Sequence, residues 1–313
     1  MIASWVEGRR TAARLLCLGL LLLAAPGIQA ALAVITTTTD LQSLVEAVGG
    51  DRVSVVSLVP AGSDAEAYAP RPQDLDRLRG ARMVVRVGLD YDLWLDRLLR
   101  QSGNTALLRG GPGHVDASNA ITLLEVKGGG LSGGAHAHGA GNPHYWLDPA
   151  NAATMTGNMV EALARLDAPN ARYYEQRRID FLARLALRIA AWQIRLAPLA
   201  GKPLLTYHNN WPYFARRFRL NFAGTIEPRP GVAPSPAALA RLIRRVRDER
   251  MALIVRHPQD PARDVDFLAR KAGARVAVLA ASVGDLPQAR DYFSLFETNV
   301  AALTAAFSGA PHE

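Results

Sequence analysis

The stretch 251–279, MALIVRHPQDPARDVDFLARKAGARVAVL, decides the fold class. Residues 251–256 form a short apolar run of strand type. Residues 262–272 carry apolar side chains at helical spacing, and 276–279 return to a strand pattern. Strand, helix and strand in close succession are the repeating unit of a parallel α/β sheet. His257 ends the first strand of this unit. In open parallel sheets, ligands bind outside the carboxyl ends of the strands.

The alternation continues outward from that stretch. Residues 203–207 and 222–226 read as strands, and 211–218 and 236–248 as helices, the latter opened by Pro234-Ser235-Pro236. Residues 286–307 close the chain as a helix. In the first half, 33–38, 53–59 and 83–87 read as strands. Helices are predicted at 40–48, capped by Asp40, at 74–79, and at 90–101 with Leu93, Trp94 and Leu98 on one face. Between the halves, Tyr174, Phe181, Leu185, Ile189, Trp192 and Leu196 recur at spacings of three, four or seven. They predict a helix over 169–198, roughly 28 residues and about 40 Å long. Arg172, Arg177, Arg178, Arg184, Arg188 and Arg195 occupy much of its remainder. A solvated arginine face over a buried stripe is the plain reading of this helix. A basic helix lying on a membrane is the other. The predicted architecture is α/β: two Rossmann-like lobes with mainly parallel sheets, 31–168 and 199–313, joined by one long rigid helix. No sequence repeat relates the lobes.

The chain has 313 residues, a formal net charge of +8, 49% hydrophobic and 20% charged residues. Those fractions are those of a folded chain and exclude a disordered one. A single cysteine excludes a disulfide framework and any Cys-rich zinc module. Residues 1–30 read as a cleavable secretory signal. Arg9, Arg10 and Arg14 precede an apolar run too short to span a bilayer, and Ile28-Gln29-Ala30 follows Pro26 and Gly27. The expected location is therefore the periplasm. The only cysteine, Cys17, lies inside the signal, so the mature chain would contain none. Residues 128–141, rich in glycine and carrying His136 and His138, read as a flexible loop. His114 and His312 read as solvated surface. No nucleic-acid-binding motif is present, and neither a Gly-rich phosphate loop nor a Gly-x-Ser-x-Gly elbow occurs.

His208, like His257, ends a predicted strand, Leu204-Leu205-Thr206-Tyr207. His144 lies in Asn142-Pro143-His144-Tyr145-Trp146-Leu147-Asp148-Pro149, and Glu66 in Gly62-Ser63-Asp64-Ala65-Glu66-Ala67-Tyr68. With Tyr213-Phe214 and Glu227-Pro228, these segments make the mature chain similar to the metal-specific solute-binding proteins of bacterial ABC importers, the zinc and manganese cluster. The resemblance implies two α/β lobes, a rigid connecting helix and one ion in the cleft. It implies zinc as transported ligand, with manganese second, an ABC permease as partner, a monomer, and no enzymatic activity. It assigns His144 and His208 as ligands. Glu66 stands where the family has its first histidine ligand, and Ala281 where it has an acid. Glu66 is an acceptable oxygen ligand for zinc or manganese. His257, where the family has a glutamate, would complete a set of Glu66, His144, His208 and His257. Glu227, Asp285 or water are the other candidates for the fourth position. His136 and His138 thinly match the family's His-rich loop. Because imidazole binds metal only when neutral, affinity should fall below about pH 6.5. Two alternatives compete: an adhesion or interaction protein of this family that has lost its metal, and a metallohydrolase with an open coordination position.

Overall fold

The computed structural model describes residues 30–125, 141–229 and 231–309. The expected signal segment with Cys17, all but the last residue of the Gly/His loop, and His312 lie outside these residues.

The first lobe runs β1 (Leu32–Thr36), α1 (Thr39–Gly49), β2 (Val53–Ser57), α2 (Pro72–Gly80), β3 (Met83–Arg86), α3 (Trp94–Ser102), β4 (His114–Asp116) and α4 (Ala152–Leu166). The long helix α5 (Ala171–Leu196) follows. The second lobe runs β5 (Pro203–Thr206), α6 (Pro212–Phe218), β6 (Asn221–Thr225), α7 (Pro236–Asp248), β7 (Leu253–Arg256), α8 (Ala262–Ala272), β8 (Arg275–Val278) and α9 (Tyr292–Ser308). Each lobe has a four-stranded sheet, in the orders β2-β1-β3-β4 and β6-β5-β7-β8. Every pairing is parallel. The two lobes therefore share one topology although no sequence repeat announces it. The stretch that decided the fold class forms β7, α8 and β8, with Leu253 opposite Arg275 and Arg256 opposite Val278.

Central strands carry continuous apolar runs because helices cover both faces of a parallel sheet. All four residues of β3 are buried. In α5, Tyr174, Phe181, Leu185, Trp192 and Leu196 are buried on one stripe. Trp192 stacks on Phe296 at 5.3 Å between ring centres and donates its indole N–H to Glu297 (2.9 Å). Arg177 donates to the Ala47 carbonyl at the end of α1 (3.0 Å). Helix α5 is thus packed on both lobes.

Several local expectations need correction. Thr38, not Asp40, caps α1: β1 ends at Thr36, and the extended Thr38 accepts from the Leu41 N–H. Asp40 instead sits fully buried in the first turn. Helix α3 begins at Trp94, after a turn, so Leu93 is 52% exposed and Leu95, Leu98 and Leu99 face inward. Helix α9 begins at Tyr292, where Asp291 and Ser294 form a capping box, rather than at 286. His114 lies in β4 with Nδ1 2.8 Å from the Leu107 carbonyl, half-buried rather than solvated.

Side-chain hydrogen bonds join the lobes. Val283 N–H donates to Asp40 (2.9 Å), and the Thr39 hydroxyl donates to the Val283 carbonyl (2.6 Å). The Trp146 indole N–H donates to the Ala281 carbonyl (2.8 Å), and the Tyr292 hydroxyl to the Trp146 carbonyl (2.6 Å). Arg217 donates to both oxygens of the buried Asp148 (2.6 and 3.0 Å). The turn 281–284 comes so close to the first lobe that a Cβ on Gly284, at φ +88°, would lie 2.5 Å from the Ala61 Cβ.

Candidate metal centre

The carboxyl ends of the strands converge on one cleft of about 420 Å³. Glu66, His144, His208 and His257 all line it, together with Glu227, Asp260 and Asp285. The loop after β2 carries Glu66. His208 and Glu227 each lie two residues past a strand, β5 and β6, and His257 immediately follows β7. Brief, buried strands thus deliver polar side chains to the sheet edge where no backbone partner competes for them.

His144 is held by its neighbours. The Asn142 side-chain oxygen accepts from the His144 backbone N–H (3.0 Å), which fixes that atom as oxygen. The same oxygen lies 3.1 Å from His144 Nδ1, so Nδ1 is the donor. The other ring nitrogen, Nε2, stands 3.5 Å from Glu66 Oε1. Asn142 is in turn anchored by donating to Glu125 (3.2 Å) and to the Asn209 carbonyl (3.1 Å). The Tyr213 hydroxyl donates to the Asn142 carbonyl at 2.9 Å. Tyr91 and Trp146 wall the imidazole with ring centres 5.7 and 5.3 Å away.

His208 pairs through Nδ1 with the buried Glu227, whose second oxygen accepts from the Gly231 N–H (3.1 Å). Burial pulls the His208 imidazolium down, but Glu227 by hydrogen bond and charge, with Glu66, outweighs it and holds the group above its ordinary value. Burial keeps the His257 imidazole below its ordinary value, against the pull of Asp260. Its Nε2 lies 3.7 Å from Asp285 and 3.4 Å from the Asn210 amide nitrogen. Asp285 is pushed up by burial and accepts from the backbone N–H groups of Ala281 (3.0 Å) and Ser282 (2.8 Å).

The structure therefore brings Glu66 to His144 and brings His144 near His208, with ring centres 6.1 Å apart. Two imidazoles sharing a tetrahedral ion, at Zn–N of about 2.0–2.1 Å, have centres roughly 5 Å apart, about 1 Å closer than here. His257 lines the same cleft but faces Asp285 and Asn210. Among the described residues, no group of three or more His, Cys, Asp or Glu side chains stands close enough to hold an ion as placed. Ala281 is buried, and its carbonyl is occupied by Trp146. Sequence reasoning missed the roles of Asn142, which sets the His144 tautomer, and of Trp146. Their signal was Asn-Pro-His-Tyr-Trp itself, read only for its histidine.

Two parallel α/β lobes on a shared long helix, with imidazoles and carboxylates gathered in the cleft between them, define a protein that binds a small charged solute. The chain belongs to the family described as zinc-uptake complex component A, periplasmic, whose profile matches residues 34–306. This is a family of substrate-binding transport proteins rather than of enzymes. A relative from Treponema pallidum (strain Nichols) is 29% identical over 194 residues, 60% of each chain. The high-affinity zinc uptake system protein ZnuA of Bacillus subtilis (strain 168) is 24% identical over 86% of each chain. A crystal structure of a ZnuA deletion mutant with zinc bound superposes with a TM-score of 0.75 at 26% identity, over 90% of this chain and all of that one.

Proposed function

We propose that this chain captures a divalent transition-metal ion, zinc first and manganese second, in the interlobe cleft and delivers it to an ABC-type permease in the membrane. It acts in the periplasm as a monomer, exported by a cleavable signal at residues 1–30. Glu66, His144 and His208 supply the core of the site. The observation that carries this reading is the His144–Glu66 pair. Asn142 holds the ring so that Nε2 stands 3.5 Å from a carboxylate oxygen, which brings two donor atoms that zinc accepts together in the cleft. Glu227 orients His208 as carboxylates orient metal-bound imidazoles generally. Closure by about 1 Å would bring the two rings to the spacing of a shared ion.

His257 and Asp285 compete for the fourth position. Asp285 is tethered by two backbone N–H groups on the turn that holds Ala281, where the family's acid would lie. A carboxylate there would restore the charge that Ala281 lacks. Zinc affinity of metal-stripped protein, measured by competition with a chromophoric chelator, tests the assignment. Glu66→Ala, His144→Ala and His208→Ala should each weaken binding roughly tenfold or more. His257→Ala and Asp285→Asn then decide the fourth ligand by which of them does the same. Unchanged affinity in His144→Ala would overturn the site.

A further inference from the structure

The long helix α5 has a second face that the binding function does not use. From residue 181 to 198 the sequence reads FLARLALRIAAWQIRLAP, with three arginines and no acid. Its buried stripe already packs on both lobes. On the solvent side, Ala183, Leu187, Ala190, Ala191 and Ile194 are all exposed, and at 100° per residue they fall within an arc of about 100°. Leu187 and Ile194 are each 75% exposed and Ile179 is 50% exposed. Asp180 ends the stripe on its N-terminal side. Arg184 and Arg188 border it, both exposed, with Arg184 over the Phe293 ring of α9 and Arg195 held by Glu297 of the same helix. At the C-terminal end, Gly201 N–H donates to the Arg219 carbonyl (2.9 Å), and the Lys202 ammonium lies over the Phe307 ring, 4.1 Å from its centre. Arg219 and Lys202 are both exposed.

A solvated arginine face does not explain this surface, because its centre is apolar. A second copy fits it poorly. A strip about 25 Å long and one helix wide covers roughly 250–300 Å², whereas a stable interface takes about 800 Å² from each partner. Branched apolar side chains flanked by Arg184, Arg188 and Arg195, which outnumber the acids Asp180 and Glu297 beside them, are instead what an anionic lipid surface takes. The apolar groups enter the headgroup boundary and the guanidinium groups meet the phosphates. We infer that the exposed face of α5 centred on Leu187 and Ile194 docks this protein reversibly on an anionic membrane surface.

Co-sedimentation with vesicles of phosphatidylcholine alone, or mixed with phosphatidylglycerol, tests this on the folded mature protein, residues 31–313. The protein should pellet with the mixed vesicles, at least several-fold more than with phosphatidylcholine, and added salt should reverse it. Leu187→Glu with Ile194→Glu should reduce binding roughly tenfold, and Arg184→Gln with Arg188→Gln should reduce it and flatten the salt dependence. Zinc affinity serves as the folding control for every variant, since these residues lie outside the cleft. Equal binding to both vesicle types, or no binding, would overturn the inference. So would a dimer in solution that the Leu187 and Ile194 variants dissolve, which would make this face a subunit interface.

Discussion

Replacing Asp40 by asparagine should change how stability depends on pH. Asp40 is fully buried, one of its oxygens accepts from Val283 N–H, and the other has no hydrogen-bond partner. Burial outweighs that bond and pushes the carboxyl up to about 7 from 3.8. A raised carboxyl favours the folded state only while protonated, so its cost begins as pH rises through 3.8 and levels off above about 7. At ~1.36 kcal/mol per pH unit, that span corresponds to ~4 kcal/mol at most; the cost is roughly 2 kcal/mol at about pH 5 and roughly 4 at about pH 8. Asparagine keeps the acceptor for Val283 and removes the titration. Urea denaturation of both metal-stripped proteins at the two pH values reads the difference. The stability of Asp40→Asn relative to the parent should grow by roughly 2 kcal/mol between about pH 5 and about pH 8. A relative stability independent of pH would refute the reasoning.

Arg86→Ala should cost about 3–5 kcal/mol by urea denaturation, because it strands the fully buried Asp92, which Arg86 meets at 2.8 Å. Trp146→Phe should cost about 1–3 kcal/mol through the unsatisfied Ala281 carbonyl. The same variant should lose the part of the zinc-induced tryptophan fluorescence change that arises beside His144, measured by titration against the parent. Asp148→Ala should lower the thermal midpoint, since Arg217 loses both of its bonds between the lobes.

The alternating pattern made the fold readable because parallel strands are short, apolar and punctuated. Helices α7 and α8 fall at 236–248 and 262–272 as read, the first because Ser235 caps it. What escaped had a physical reason. β4 has three residues, too few to show a period. Helix α4 buries Met155, Met159 and Leu163 at helical spacing, but it follows two short turns of tighter helix that blur its start. Asp40 looked like a cap because it is acidic and follows a strand; the backbone put Thr38 at the cap and turned Asp40 toward the other lobe.

The site was legible where chemistry is carried by a residue type at a strand end, as with His208 and His257. It was illegible where a role depends on contacts distant in sequence. Trp146 holds the carbonyl of Ala281, 135 positions away, and nothing local to either residue announces it. Asp285 was visible as an acid but not as the cap of the turn that carries Ala281. The net charge of +8 invites an anionic partner, and the cleft gives it no role. The arginines bordering the apolar strip of α5 give part of that charge a place.

The central claim is that the cleft holds one divalent ion. Metal-stripped protein equilibrated with excess zinc, freed of unbound ion and measured for metal by atomic emission tests it most directly. One zinc per chain, lost in His144→Ala, is the predicted result; a folded protein that retains none would contradict it.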